Sequence, residues 1–386
     1  MATNKEQNKL NVPHLRFPEF HGEWEKCKLG DIATLTKGSG ISKDQRSATG
    51  TPCILYGELY TTYKSEVINY VVSKTDISDK NLVRSCANDI IIPSSGETAI
   101  DISTARCVLS PDVLLGGDLN IIRLKDGDGR FFSYQLNGVR KHDIAKIAQG
   151  VSVVHLYGES IKGLTVSFPS NKEQQKISTL LSLIDERIAT QSKLIEDLKK
   201  LKSAISKKLL CNDKWTTYKI QDIAEIGRGR VISSVEIDRQ KHPLYPVYSS
   251  QTSNDGIMGY LDNYMFDGEY ITWTTDGANA GTVFYRKGKF NCTNVCGTLK
   301  IQPKFDCYFV SLVLQQATQK YVSSNLANPK LMNNTMASIK IRMPNIETQK
   351  QLSKVFQALD GCLLIHQRTC EMYLKEKQYL LRQMFI

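Results

Sequence analysis

Trp24-Glu25-Lys26-Cys27-Lys28-Leu29-Gly30-Asp31-Ile32-Ala33 recurs 191 residues later as Trp215-Thr216-Thr217-Tyr218-Lys219-Ile220-Gln221-Asp222-Ile223-Ala224. The shared skeleton is Trp, three residues, Lys, an aliphatic, one residue, then Asp-Ile-Ala. At the same offset Lys37-Gly38 matches Arg228-Gly229, and Ile41-Ser42 matches Ile232-Ser233. A second set of matches closes each copy. Leu164-Thr165-Val166-Ser167-Phe168-Pro169 is similar to Ile339-Lys340-Ile341-Arg342-Met343-Pro344, followed by Gln174 and Gln349, all at an offset of 175. The interval between anchors is therefore 16 residues shorter in the second copy, and its sequence is dissimilar. Internal repetition of this length points to a duplicated structural unit. Similar edges imply a common scaffold; unlike middles imply that each copy presents something different, or that duplicated domains have drifted.

Each copy runs into a heptad pattern. Ile177, Leu181, Ile184, Ile188, Gln191, Ile195, Leu198, Lys202, Ile205 and Leu209 follow steps of four and three. Adding 175 gives Leu352, Phe356, Leu359, Leu363, His366, Cys370, Tyr373, Lys377, Leu380 and Met384. Such a seam predicts two helices of about 33 residues, roughly 50 Å, each needing a partner. The simplest partner is the other helix, lying antiparallel. Gln191 with His366 and Lys202 with Lys377 are polar seam positions, which either fix register or face solvent or another protein. Basic residues crowd the helix C-termini (Lys199, Lys200, Lys202, Lys207 and Lys208 on the first; Lys375, Lys377 and Arg382 on the second), where they complement the helix dipole or meet phosphate.

The middles, residues 45–165 and 235–335, alternate short aliphatic, Tyr and Thr runs with Gly, Asn, Asp and Ser. That composition predicts strands and loops, including strands at Tyr270–Thr274 and Val283–Tyr285 and helices near Phe132–Ala148 and Phe309–Val322. The fold class is α+β: two mixed domains, each followed by a long helix, the two helices pairing as an antiparallel coiled coil. Boundaries fall at 1–22 (N-terminal segment), 23–170 (first mixed domain), 171–212 (central helix), 213–344 (second mixed domain) and 345–386 (C-terminal helix).

A formal net charge of +11 over 386 residues favours a polyanionic partner. Gln and Asn can pair with adenine, Arg or Lys with guanine, and a carboxylate with cytosine. Candidate DNA-contacting residues in the first copy are Lys37, Arg46, Tyr56, Glu58, Tyr60, Thr61, Tyr63, Lys64, Ser94, Ser95, Glu97 and Thr98. In the second they are Arg228, Arg230, Ser249, Ser250, Gln251, Ser253, Asn254, Thr274, Thr275, Asn279 and Lys330. Ordinary turns use the same residue types.

Enzymatic constellations are missing from the sequence. It has no Gly-x4-Gly-Lys-Ser/Thr and no Gly-x-Ser-x-Gly. Asn328-Pro329-Lys330-Leu331 starts like an amino-methyltransferase motif but lacks its second Pro and aromatic. Cys292, Cys296 and Cys307 do not make a paired zinc set, so no metal is expected, and ten scattered cysteines suit a reducing compartment. The polar start, Met1–Leu10, and short apolar runs lead to a cytoplasmic expectation with no membrane partner.

The whole arrangement resembles the DNA-specificity subunits of type I restriction-modification systems. Val12-Pro13-His14-Leu15-Arg16-Phe17-Pro18-Glu19-Phe20, with Trp24 and Lys28–Ile32, is similar to that family's opening segment. Phe168-Pro169-Ser170-Asn171-Lys172-Glu173-Gln174-Gln175-Lys176-Ile177 is similar to its domain-to-helix junction, with Thr348 at a capping position where the first copy has Glu173. Leu380–Phe385 resembles its ending. The resemblance implies a non-catalytic subunit with two target-recognition domains, each reading half of an asymmetric two-part site in double-stranded DNA. Paired helices would set the gap and dock two methyltransferase subunits, which carry S-adenosylmethionine; two restriction subunits, using ATP and Mg, would join them. This chain would hold no cofactor. The rival expectation is a coiled-coil adaptor that does not read DNA.

Overall fold

The computed structural model describes residues 11–78, 81–210, 212–323 and 328–386; the first ten residues of the N-terminal segment lie outside this set. The chain forms two compact units. Unit 1 comprises the residues up to Ser192 together with Gln367–Ile386, and unit 2 comprises Lys193–His366. Each long helix, Asn171–Leu209 and Ile346–Gln383, gives one half to each unit.

In unit 1 the two duplicated edges meet as hydrogen-bonded neighbours. Strand Glu25–Lys28 pairs antiparallel with Thr165–Phe168, Glu25 opposite Phe168 and Lys28 opposite Thr165. The chain then builds a five-stranded sheet in the spatial order Ala33–Lys37, Leu119–Leu124, Asp89–Pro93, Arg106–Val108, Val67–Ile68. Asp89-Ile90-Ile91-Ile92-Pro93 is buried throughout, as a central strand covered on both faces must be. Helices Gly129–Asn137 and Lys141–Ile147 replace the single helix expected at Phe132–Ala148; the chain breaks at Gly138. Trp24 packs edge-on against Phe131, ring centroids 5.6 Å apart. Ile177, Leu181, Ile184, Leu380, Met384 and Phe385 complete the same core. The seam residues of both helices are thus core residues of the domain as well.

Unit 2 repeats the plan. Thr216–Lys219 pairs antiparallel with Lys340–Met343, Thr216 opposite Met343. Its main sheet runs Ala224–Arg228, Cys296–Ile301, Glu269–Thr274, Val283–Lys287, so both expected strands are present. Trp215 meets Phe309 of helix Cys307–Ala317 at 5.9 Å. Ile205, Leu210, Leu352, Phe356 and Leu359 join this core. At the end of the central helix the inward residue is Leu210, while Leu209 is exposed, so the seam drifts by one position there.

The other seam positions, Ile188, Ile195, Leu198, Leu363 and Tyr373, are half-buried. The polar ones are resolved differently from the simple lysine-to-lysine pairing. In unit 1, Lys377 Nζ donates to Asp185 Oδ1 (2.5 Å) and to Glu66, while Tyr134 Oη donates to Asp185 Oδ2 (2.8 Å). In unit 2, Lys202 donates to Asp360, and Tyr308 Oη donates to the same carboxylate (2.5 Å). Asp185 and Asp360, like Lys202 and Lys377, are related by the offset of 175. Burial and the neighbouring carboxylate push both phenols up, keeping them protonated donors.

The duplicated glutamines also share a task. Gln174 accepts from the Asp128 N–H (3.0 Å) and donates to the Pro169 carbonyl (2.8 Å); Gln349 makes the same two bonds to Asp306 and Pro344 (3.0 and 2.8 Å). Asp128 and Asp306 cap the helices that carry Phe131 and Phe309. Glu173 does not cap its helix. It is buried and gripped by a two-pronged bond from Arg16, at 2.7 and 2.8 Å. In the second copy the Thr348 N–H is capped by Asn345.

Candidate nucleic-acid interface

In unit 2 all the candidate residues but Arg228 and Arg230 lie on three loops that are bonded together. The first, Ser249–Gly256, follows strand Tyr245–Tyr248. Its tip, Thr252, Ser253 and Asn254, is exposed, and Asn254, Asp255 and Gly256 all have positive φ (49°, 53°, 81°). Gln251 is half-buried and donates Nε2 to the Ile257 carbonyl (2.5 Å). The second loop, Thr274–Asn279, is tied to the first by Asn279 Nδ2 on the Ser250 carbonyl (3.3 Å). Arg228 reaches this loop from the adjacent strand, donating to Thr275 Oγ1 (3.0 Å) and the Asn294 carbonyl (2.6 Å). The third is the arm Asn328–Leu331, where Lys330 bridges both Asp276 and Ser323. Asn328-Pro329-Lys330-Leu331 is thereby accounted for as scaffold: the Pro329 carbonyl accepts from Gly277 N–H (3.0 Å) and the Leu331 carbonyl from the Trp273 indole (2.9 Å). Arg230 stands apart, forked onto Glu236; this pair raises the arginine and lowers the carboxyl from their ordinary values.

Unit 1 assembles a different surface. Tyr56–Lys64 is not an open loop. It contains the helical turn Glu58–Thr61 and borders a cavity of 1110 Å³ with Arg46, Lys43, Gly117 and Asp118. Tyr60 is half-buried, its phenol pushed up by that burial and by the charges of Glu97 and Asp101 and the phenol of Tyr56. Leu156 N–H donates to the Ser94 carbonyl (2.9 Å), and strand Val154–His155 pairs with Ser95–Gly96. The hairpin closed by Gln149 and His155 therefore rides on this segment, with Val151 at its exposed tip. Lys37 and Lys64 are exposed, Lys64 leaning on the Thr61 carbonyl (3.0 Å).

Five candidates are corrected by burial. Glu58 spends its carboxylate on the Leu55 N–H (2.9 Å) and Ser73. Tyr63 accepts from the Val72 N–H (3.2 Å). Ser94, Thr274 and Thr275 are buried at the sheet ends. All five are withdrawn from the surface, and the buried Thr274 hydroxyl finds no hydrogen-bond partner among the described residues. Thr98 and Thr61, though exposed, bond locally, Thr98 as the cap of Ala99–Ile102 and Thr61 to the Gly57 carbonyl (2.7 Å). Cys292 and Cys296 are buried beside the first loop of unit 2, where burial pushes the Cys296 thiol up to about 11.

The residue that sequence reasoning missed is Arg286. It lies in Val283-Phe284-Tyr285-Arg286-Lys287, where a strand pattern gives no hint that one basic residue points inward. Its guanidinium lies over the rings of Tyr248 (3.6 Å to the centroid) and Phe284 (4.4 Å).

A family model described as the type I restriction modification DNA specificity domain matches residues 21–200 and again 212–371, one match per repeat. A putative type I specificity subunit of Mycoplasma pneumoniae is 37% identical over 228 residues, covering 58% of this chain and 95% of that protein. Another from the same organism is 35% identical over 237 residues, 59% of this chain and 88% of that one. The crystal structure of a type I restriction-modification S subunit from M. genitalium superposes with a TM-score of 0.73 at 19% identity, covering 97% of this chain and 99% of the other, a likeness of fold. The chain belongs to the type I restriction-modification DNA specificity family, whose task is sequence-specific DNA recognition.

Proposed function

We propose that the two units read the two halves of an asymmetric DNA site, chiefly in the major groove, and that the chain itself performs no chemistry. The observation that supports this most directly is the contrast within the repeat. Scaffold strands, glutamine latches and capped helices are duplicated, while the exposed loops differ in length, shape and chemistry. Phosphate contacts would carry most of the affinity and base contacts about 1–3 kcal/mol of discrimination per good bidentate pair.

In this reading the helices set the gap between half-sites and dock two methyltransferase subunits bearing S-adenosylmethionine, with two ATP- and Mg-dependent restriction subunits joining later. Exposed apolar side chains on the helices, including Leu183 and Leu201 on one and Ile365 and Met372 on the other, suit protein docking.

The test is genome-wide adenine methylation with this chain present and deleted. A two-part motif that vanishes on deletion is the expected result. An unchanged pattern, with the partner methyltransferase expressed, sinks the proposal and favours an adaptor. Altering Gln251 and Asn254 together is expected to relax one half-site only. Removing one heptad from each helix, about 10 Å, should shorten the gap by about three base pairs.

A further inference from the structure

We infer that Arg286 is the positioning residue that sets the specificity of unit 2, by imposing on the Ser249–Gly256 loop the shape in which it meets DNA. The inference rests on the DNA-reading function proposed above. Arg286 is only 4% exposed, so it cannot reach a phosphate or a base itself. Its donors all turn to the protein. Nη1 donates to Asp255 Oδ2 (2.6 Å), Nη2 to the Asp255 carbonyl (2.8 Å) and Nε to Thr272 Oγ1 (3.4 Å). The guanidinium also lies over the rings of Tyr248 and Phe284. Tyr248 opens the loop and Asp255 nearly closes it, so a single side chain grips both ends.

The loop needs such a grip. Asn254, Asp255 and Gly256 occupy the left-handed region in succession, a conformation that side chains with a Cβ rarely adopt even singly. A Cβ at Gly256 would come within 3.3 Å of the Arg286 guanidinium and 3.2 Å of the Gln251 carbonyl, so the loop is seated tightly on the arginine. Asp255 itself is 66% exposed, so the loop has no apolar anchor of its own beside it. With the fork gone, the chain from Gln251 to Asp255 is free to relax to right-handed turns, and Thr252, Ser253 and Asn254 would point elsewhere. A lysine would keep the charge but lose the planar fork and the stacking.

The experiment selects bound sequences from a randomised duplex library with the full-length chain, wild type beside Arg286→Lys and Asp255→Asn. Relative affinities for single-base changes are then measured in each half of the recovered site. Arg286→Lys should melt at a lower temperature but remain folded, with its salt dependence unchanged. It should lose about ten-fold in discrimination, or change the preferred base, in one half only. Asp255→Asn, altered at an exposed side chain, should move the same half in the same direction by less. It carries the test if Arg286→Lys does not fold. Unchanged base preference in a folded variant overturns the inference, and so does weaker binding with the preferences intact, which would mark a merely structural arginine. Equal loss in both halves overturns it as well. If the wild type itself recovers no sequence, it is the DNA-reading function that has failed, before any substitution is considered.

Discussion

The same aspartate and lysine, duplicated 175 residues apart, sit in two very different settings. In unit 1 Lys377 is buried between Asp185 and Glu66, with Arg106 also buried nearby, so helix pair and recognition domain share one enclosed charge cluster. In unit 2 Lys202 meets Asp360, which is 40% exposed, and among the described residues the domain contributes its tyrosine, Tyr308, but no carboxylate to match Glu66. The helices kept their reciprocal pairing after duplication and each domain still sets a tyrosine on the aspartate, but only the domain of unit 1 adds a carboxylate to the lysine. Ionic contact is therefore structural in one unit and marginal in the other.

The comparison can be broken outright by one pair of substitutions. Lys377→Met strands two buried carboxylates and should destabilise unit 1 by about 3–5 kcal/mol. Lys202→Met should cost about 1 kcal/mol or less. Urea unfolding of the two variants measures this, and equal losses would contradict the contrast. A second test concerns the N-terminal segment, whose described residues bond to unit 1 through Arg16 and Glu173. Arg16→Ala leaves the buried Glu173 without its fork and should cost about 3 kcal/mol, whereas Thr348→Ala should cost under about 1 kcal/mol. The glutamine latches sharpen the comparison from the other side. Gln174→Ala and Gln349→Ala should each cost about 1–2 kcal/mol, alike within error, because each makes the same two bonds. Smallest of all, Gly361 lies in the middle of an unbroken helix with open space where a Cβ would go. Gly361→Ala should stabilise the chain by about 0.5–1 kcal/mol, visible as a small rise in melting temperature.

What could be read from the residues was whatever repeats. The offsets of 191 and 175 located strands that prove to be partners across each unit, and the heptad steps located core positions such as Ile177, Leu181, Phe356 and Leu380. The antiparallel course of the helices is visible within unit 1 as well. In unit 1 Asp185 meets Lys377, and Ser192 meets Cys370. The candidate interface was less legible because burial is a tertiary property. Glu58 and Thr275 have the composition of a reading loop, yet each lies beneath it. Arg286 escaped notice for the opposite reason, since nothing local distinguishes an inward arginine from a solvated one. The lysine pair was legible in position but not in partner: their carboxylates lie on the facing helix, a contact that sequence spacing cannot supply.

One feature of both units bears on how much their interiors can vary. The strand that leads into each variable region is hydrogen-bonded to the strand that leads out, Lys28 opposite Thr165 and Lys219 opposite Lys340. In polymer terms the region is a closed loop whose two ends are already held together. Its length then enters the free energy only as a logarithm, and the 16-residue difference between the copies amounts to about 0.1 kcal/mol of closure entropy. Chain length is thus almost free to drift inside each loop, and the frame that closes it feels only whether the new interior can cover Trp24 or Trp215.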